Sequence, residues 1–208
     1  MNREPIKERF TRDIATHVME IRHDEELYRH VVFKRPNTVC MMFSLTTTPG
    51  RLIYAGDMGC FVFERLPDMF AFFRSDKQDR EPNFGYWHEK LVATDRDGSM
   101  EHDSDKFREN LTTYLSDDLS DEDRESVNEF ISEVVNEFEE QGPERAYSSV
   151  ADFSLDHGPR NRMQFFQDFF EHSDRIYTLR YEWACHAIQF GIKQYDVAKA
   201  AVAVEAAL

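Results

Sequence analysis

Three cysteines in 208 residues are too few, and odd in number, for a disulfide framework. Cys40, Cys60 and Cys185 sit inside apolar segments without C-x-x-C spacing, so they read as small buried hydrophobes. No apolar run approaches the roughly 18 residues that cross a bilayer. The opening MNREPIKERFTRD is charged from its start, unlike a secretory signal, and a cytoplasmic location is expected. Positive charge is scarce too: 25 Lys and Arg face 40 Asp and Glu, a net of −15. That balance argues against electrostatic binding to DNA, RNA or an anionic membrane, because phosphate contacts need clustered cations. It suits a basic protein partner, or high solubility alone. Repeats and low-complexity linkers are also missing. A single α+β domain over residues 1–208 is expected, with 1–98 (mixed) and 99–208 (helical) as sub-lobes within it.

Aromatics are plentiful, 13% of the chain with 18 phenylalanines, and 41% hydrophobic content supports a packed core. Ile6, Phe10, Ile14, Ala15 and Val18 follow Pro5 at helical spacing over residues 5–20. IRHDEELYRH either extends that helix or starts a connection. VVFKR, the alternation Val39, Met41, Phe43, Leu45, and the runs LIYAGD and CFVFER predict up to four antiparallel strands over about residues 30–65. Gly56-Asp57-Met58-Gly59 joins the last two as a hairpin turn. A sheet this small needs helices on one face. Leu66, Met69, Phe70 and Phe73 predict the first of them, and FGYWHEKLVATDRDG reads as a brief helix ending at Asp97-Gly98.

Beyond this the chain turns acidic: residues 101–145 hold 16 Asp or Glu against 4 Lys or Arg. Ser120 to Asp123 resembles an acidic capping box. Val127, Phe130, Ile131, Val134, Val135 and Phe138 then predict an amphipathic helix with carboxylates outward, stopped by Gly142-Pro143. ERAYSSVADFSL is a shorter helix, and MQFFQDFFEH, aromatic on nearly every side, is expected deep in the fold. A long helix from about Tyr177 to Ala203 carries Leu179, Trp183, His186, Ala187 and Phe190 near one stripe. Gly191 costs it about 1 kcal/mol unless a neighbour packs closely there.

Chemistry-bearing motifs are absent. The eight histidines form no H-E-x-x-H or H-x-x-x-H pair, and adjacent Cys185 and His186 diverge by about 100° on a helix, so no metal and no cofactor is expected. There is no G-x-S-x-G, and residues 56–59 lie between two strands, not between a strand and a helix as a phosphate loop requires. No catalytic residue is therefore assigned. Two candidate sites remain. The first is a partner-binding acidic surface at Asp117, Asp118, Asp121, Glu122, Glu125, Glu129 and Glu133, whose bland alternative is a solvated helix face. The second is a ligand or enzyme pocket between sheet and helices near Asp57, Trp87, His88 and His186.

Three motifs, GDMG-x-F-V-F-x-R-L-P-D-M-F-x-F-F-R (56–74), N-F-G-Y-W-x-E-K-L (83–91) and Y-E-W-A-C-H-A-I-Q-F-G-I-K-Q-Y-D (181–196), occur here in that order. Together they resemble a group of uncharacterised accessory proteins of tailed bacteriophages and prophages. The resemblance spans most of the chain and is weakest in the acidic middle. It implies a phage or prophage accessory protein. Taken with the missing catalytic constellation and the acidic helix, the expectation is a non-enzymatic protein that binds a host protein in the bacterial cytoplasm, and in a sharper form one that inhibits a nucleic-acid-handling defence system through an acidic, DNA-mimicking surface. The resemblance brings no catalytic residues. A virion or assembly role is a further alternative, for which the chain offers neither coiled coil nor fibrous repeat.

Overall fold

Phe43, Leu45, Leu52, Tyr54, Phe61 and Phe63 recur at every second position of three successive runs. In the computed structural model, which describes residues 4–74, 81–156 and 162–206, all six lie on one sheet face and are completely buried. The chain runs through α1 (Ile6–Ile14), β1 (Val18–Glu25), β2 (Tyr28–Lys34), β3 (Phe43–Thr48), β4 (Arg51–Gly56), β5 (Gly59–Glu64), α2 (Met69–Phe73), α3 (Phe84–His88) and β6 (Leu91–Thr94). There follow β7 (Met100–His102), α4 (Ser104–Thr112), α5 (Asp121–Gln141), α6 (Pro143–Asp152), β8 (Ser154–Asp156), β9 (Arg162–Gln164), a 3-10 turn (Phe169–Glu171), β10 (Arg175–Tyr177) and α7 (Leu179–Ala206). The fold class is α+β.

Two compact units share the chain. One comprises 1–99 with 177–208, and the other, 100–176, is inserted into it. The ends of the insertion are close, since Thr178 N–H donates to the Ser99 carbonyl at 3.0 Å. The division therefore falls at two points of the chain, not once near 98, because α7 returns to the sheet.

In the first unit the sheet is an antiparallel meander of six strands in sequence order, from residue 18 to 94, and so exceeds the four expected over about 30–65. The sequence IRHDE, read as helix or connection, lies in edge strand β1, where Ile21 pairs with Val31. β-branched Val92 and Thr94 likewise place 91–94 in β6, not in a helix. Conversely, residues 39–42 are no strand. Met41 has φ +57, its N–H donates to the Asp57 carboxylate at 2.6 Å, and its carbonyl meets His17 Nε2 at 2.9 Å. These tertiary contacts override the alternation. Leu66 is also exposed, because Asp68 caps α2 and starts it later.

In this unit helices pack on the inner face. α1 contributes Phe10 and Ile14, α2 Met69, Phe70 and Phe73, α3 Trp87, and α7 Tyr181, Ala184, Cys185, Ile188, Ile192 and Tyr195. Close approach decides the glycine in α7. A Cβ on Gly191 would stand 2.7 Å from Leu45 Cδ1 and 3.0 Å from the Phe33 ring, so the propensity cost is accepted for tight helix-on-sheet packing. Gly59 closes the β4–β5 hairpin at φ +105, a backbone region closed to other residues, with the Asp95 carboxylate packed where a Cβ would project.

The inserted unit has its own core. α4 supplies Phe107 and Leu111, α5 Val127, Ile131, Val134, Val135 and Phe138, and α6 Ala146 and Val150. Phe107 stacks on Phe138 at 4.6 Å, and half-buried Phe130 stacks on Phe153 at 4.0 Å. The aromatic run at 165–170 is not wholly interior: Phe166 and Phe169 are buried, whereas Phe170 is 76% exposed.

Candidate functional site: an acidic helix face on the inserted unit

Helix α5 begins where its sequence predicts. Ser120 Oγ accepts the Asp123 N–H at 3.1 Å and donates to the Asp123 carboxylate at 2.7 Å. Asp121, Glu122 and Asp123 fill the first turn, where the helix dipole favours negative charge. Gly142, at φ +93, ends the helix and Pro143 opens the next. Five buried apolar side chains, each contributing roughly 1.5–3 kcal/mol, fix which face points inward.

The opposite face carries the carboxylates. Asp121, Glu125, Glu129 and Glu133 recur every four residues and line up along the helix, with Glu122 beside them and Asp117 and Asp118 in the preceding loop. All seven are exposed, and none of the seven forms an ion pair among the described residues. The lone arginine of α5, Arg124, donates to the Ser116 carbonyl at 2.7 Å and not to these carboxylates. A shallow open depression on this face is lined by Asp121, Arg124, Glu125, Asn128, Glu129 and Ser132, all from α5. One helix supplies no opposing wall, so the feature is a surface and not a ligand pocket. Nine carboxylates over 21 residues amount to about one per 3.5 Å of helix axis at 1.5 Å per residue. One strand of a DNA duplex carries one phosphate per about 3.4 Å.

The residues of the alternative pocket serve different local contacts. Asp57, exposed on the hairpin tip, holds the 39–42 turn. Trp87 is buried edge-on against Phe73 at 4.7 Å. His88 Nε2 meets Ser99 Oγ at 3.0 Å, and the ring lies against Tyr177 and Tyr181. His186 is buried between the rings of Phe10 and Phe84. Cys185 beside it is wholly buried, which pushes its thiol pKa up and leaves it unreactive. No cluster of three or more His, Cys, Asp or Glu with metal-binding geometry occurs among the described residues.

Sequence reading missed one polar cluster in the inserted unit. The Asp174 carboxylate, 3% exposed, accepts Nδ1–H of His102 at 2.8 Å and a hydrogen bond from the Tyr147 hydroxyl. Burial and the Asp174 charge push the Tyr147 pKa up to about 12. Asp103 N–H donates to the Asp174 carbonyl, and Asn110 Nδ2 to that of Ser173. These bonds bind the start of the insertion to its end. His102 and Asp174 are 72 positions apart, and no spacing in the sequence announces the pair.

No protein-family model, curated protein or solved structure matches the chain. No helix among the described residues is long and apolar enough to cross a membrane.

Proposed function

We propose that this chain is a non-enzymatic accessory protein of phage or prophage origin that binds a basic host protein in the bacterial cytoplasm through the outer face of α5. In its sharper form the partner is a nucleic-acid-handling defence complex, and the carboxylates occupy the channel that phosphates would enter. The observation that carries this reading is the exposed row Asp121, Glu125, Glu129 and Glu133, none of which forms an ion pair among the described residues, on a helix that carries nine carboxylates in 21 residues. Such a surface attracts cationic grooves at long range and speeds encounter. The phage assignment rests on the three sequence motifs alone.

The test is affinity capture from infected host cells with the natural chain and with a variant carrying Asp121→Lys, Glu125→Lys, Glu129→Lys and Glu133→Lys. Circular dichroism and urea midpoints establish that the variant is folded. Capture of a nucleic-acid-binding complex by the natural chain, lost in the variant and competed by duplex DNA, is the expected result. Equal capture by both chains refutes the role of the acidic face.

A further inference from the structure

The N-terminal helix is a weak element on its own. α1 has nine residues, and Pro5 at its start supplies no side-chain cap. Isolated helices below roughly 12–15 residues are marginal in water, so α1 persists by packing. Its anchor is Phe10, which meets Trp183 edge-on at 5.0 Å and Phe190 edge-on at 5.8 Å, and stacks on the His186 imidazole at 5.8 Å.

His186 is an unusual partner for such a helix. The residue is 5% exposed and its Nε2 is buried without a hydrogen bond. We propose that α1 is an acid-releasable arm, latched onto α7 while His186 is neutral and freed when that imidazole takes up a proton.

Burial, and not the surrounding charge, favours the neutral form. From the segment before α3, the Glu81 carboxylate stands 3.5 Å from Nε2, but it is already paired with Lys7 of α1 at 3.0 Å. Elsewhere on α1, Asp13 accepts the Trp183 indole N–H at 3.2 Å and lies near Arg9. α3 presents the Phe84 ring. On α7 itself Glu182 lies one turn earlier, and the neighbouring Cys185 is neutral. Burial lowers the His186 pKa, Glu81 pulls it up and Lys7 pushes it down again, leaving it below the ordinary value. A histidine depressed in this way stabilises the latched state fully above about pH 6.5, and that stabilisation is lost as pH falls towards the folded-state value. Opening α1 is the cheapest relief, because it hydrates the imidazole without breaking the sheet.

Amide hydrogen exchange on the full chain tests this between pH 7.5 and 5, corrected for intrinsic rates, comparing residues 6–14 with β3. Exchange of α1 relative to β3 is expected to rise, by at most about 30-fold, the limit that a freed imidazole of ordinary pKa sets between these two pH values. In His186→Phe the ratio should stay flat. In Glu81→Gln it should rise more steeply than in the natural chain, because the one compensating charge is gone. A flat ratio in the natural chain overturns the proposal, as does a rise that survives in His186→Phe. Should that variant fail to fold, an unaltered slope in Glu81→Gln overturns it equally.

Discussion

Replacing Arg29 by methionine should be among the most damaging single changes in the first unit. Arg29 is 8% exposed, donates Nη1–H to Asp68 Oδ1 at 2.8 Å, and lies over the rings of Phe70 at 4.9 Å and Tyr195 at 5.7 Å. Asp68 also caps α2 by accepting the Phe70 N–H at 3.0 Å. The arginine thus ties β2, α2 and α7 together. Removing one member of a buried pair costs about 3–5 kcal/mol, mostly from the charge left behind. Here Asp68 keeps 28% exposure and Arg74 lies 3.7 Å from it, which places the expected loss near 3 kcal/mol, at the lower end of that range. Urea unfolding of Arg29→Met, Asp68→Leu and the double variant measures both the loss and the coupling. The double variant should be destabilised by clearly less than the sum of the singles. A loss below about 1 kcal/mol in Arg29→Met, or strict additivity, refutes the assignment of Arg29 as a buried tether. The pH dependence supplies a second check. Burial pushes the Asp68 carboxyl up, but the hydrogen bond and charge of Arg29, with the helix N–H groups, pull it below the ordinary range. The pair's contribution is therefore complete above about pH 4 and is lost as pH falls through the lower folded-state value, so acid unfolding should be shallower in Arg29→Met.

Gly191→Ala gains about 1 kcal/mol of helix propensity, but its methyl meets Leu45 and Phe33; a net loss of about 1–2 kcal/mol is expected in urea midpoints, and a stabilised variant would contradict the close packing. Asp174→Asn keeps an acceptor but removes the charge that His102 and Tyr147 share. It should destabilise the chain by about 1–3 kcal/mol and lower the Tyr147 titration from its value of about 12, followed by NMR of labelled tyrosine; an unmoved titration would show that burial alone sets it. Phe130→Ala removes the half-buried ring stacked on Phe153 and should cost about 1.5–3 kcal/mol by urea unfolding, while leaving the exposed carboxylates in place for partner capture.

How much was legible in the sequence follows from the distance over which each feature is specified. The α5 helix was predicted with its inward face, its cap and its stop because each is a local matter of periodicity, a hydroxyl at the N-cap and glycine-proline at the end. Strands β3 to β5 were similarly plain, their alternation agreeing with burial at every second residue. Edge strand β1 was missed because its burial hardly alternates. Its residues are mostly exposed, and only pairing with β2 makes them a strand. The 39–42 segment failed in the opposite sense, since its apolar alternation is locally sound but Asp57 and His17 claim the backbone of Met41.

The same difference separates the two kinds of polar feature. The carboxylates of α5 could be named from sequence because a helix sets their face by spacing alone. His102 with Asp174, Arg29 with Asp68, and His186 with Phe10 are each assembled from remote segments, so burial and pairing confer on them properties that residue type does not carry. His186 shows this most sharply. As one histidine on an apolar helix stripe it has no assignable chemistry, and only the Phe10 ring on one side and the Lys7–Glu81 pair on the other turn it into a group whose protonation bears on whether α1 stays in place. Surface charge is written in the local pattern, and responsiveness to pH is written in the packing.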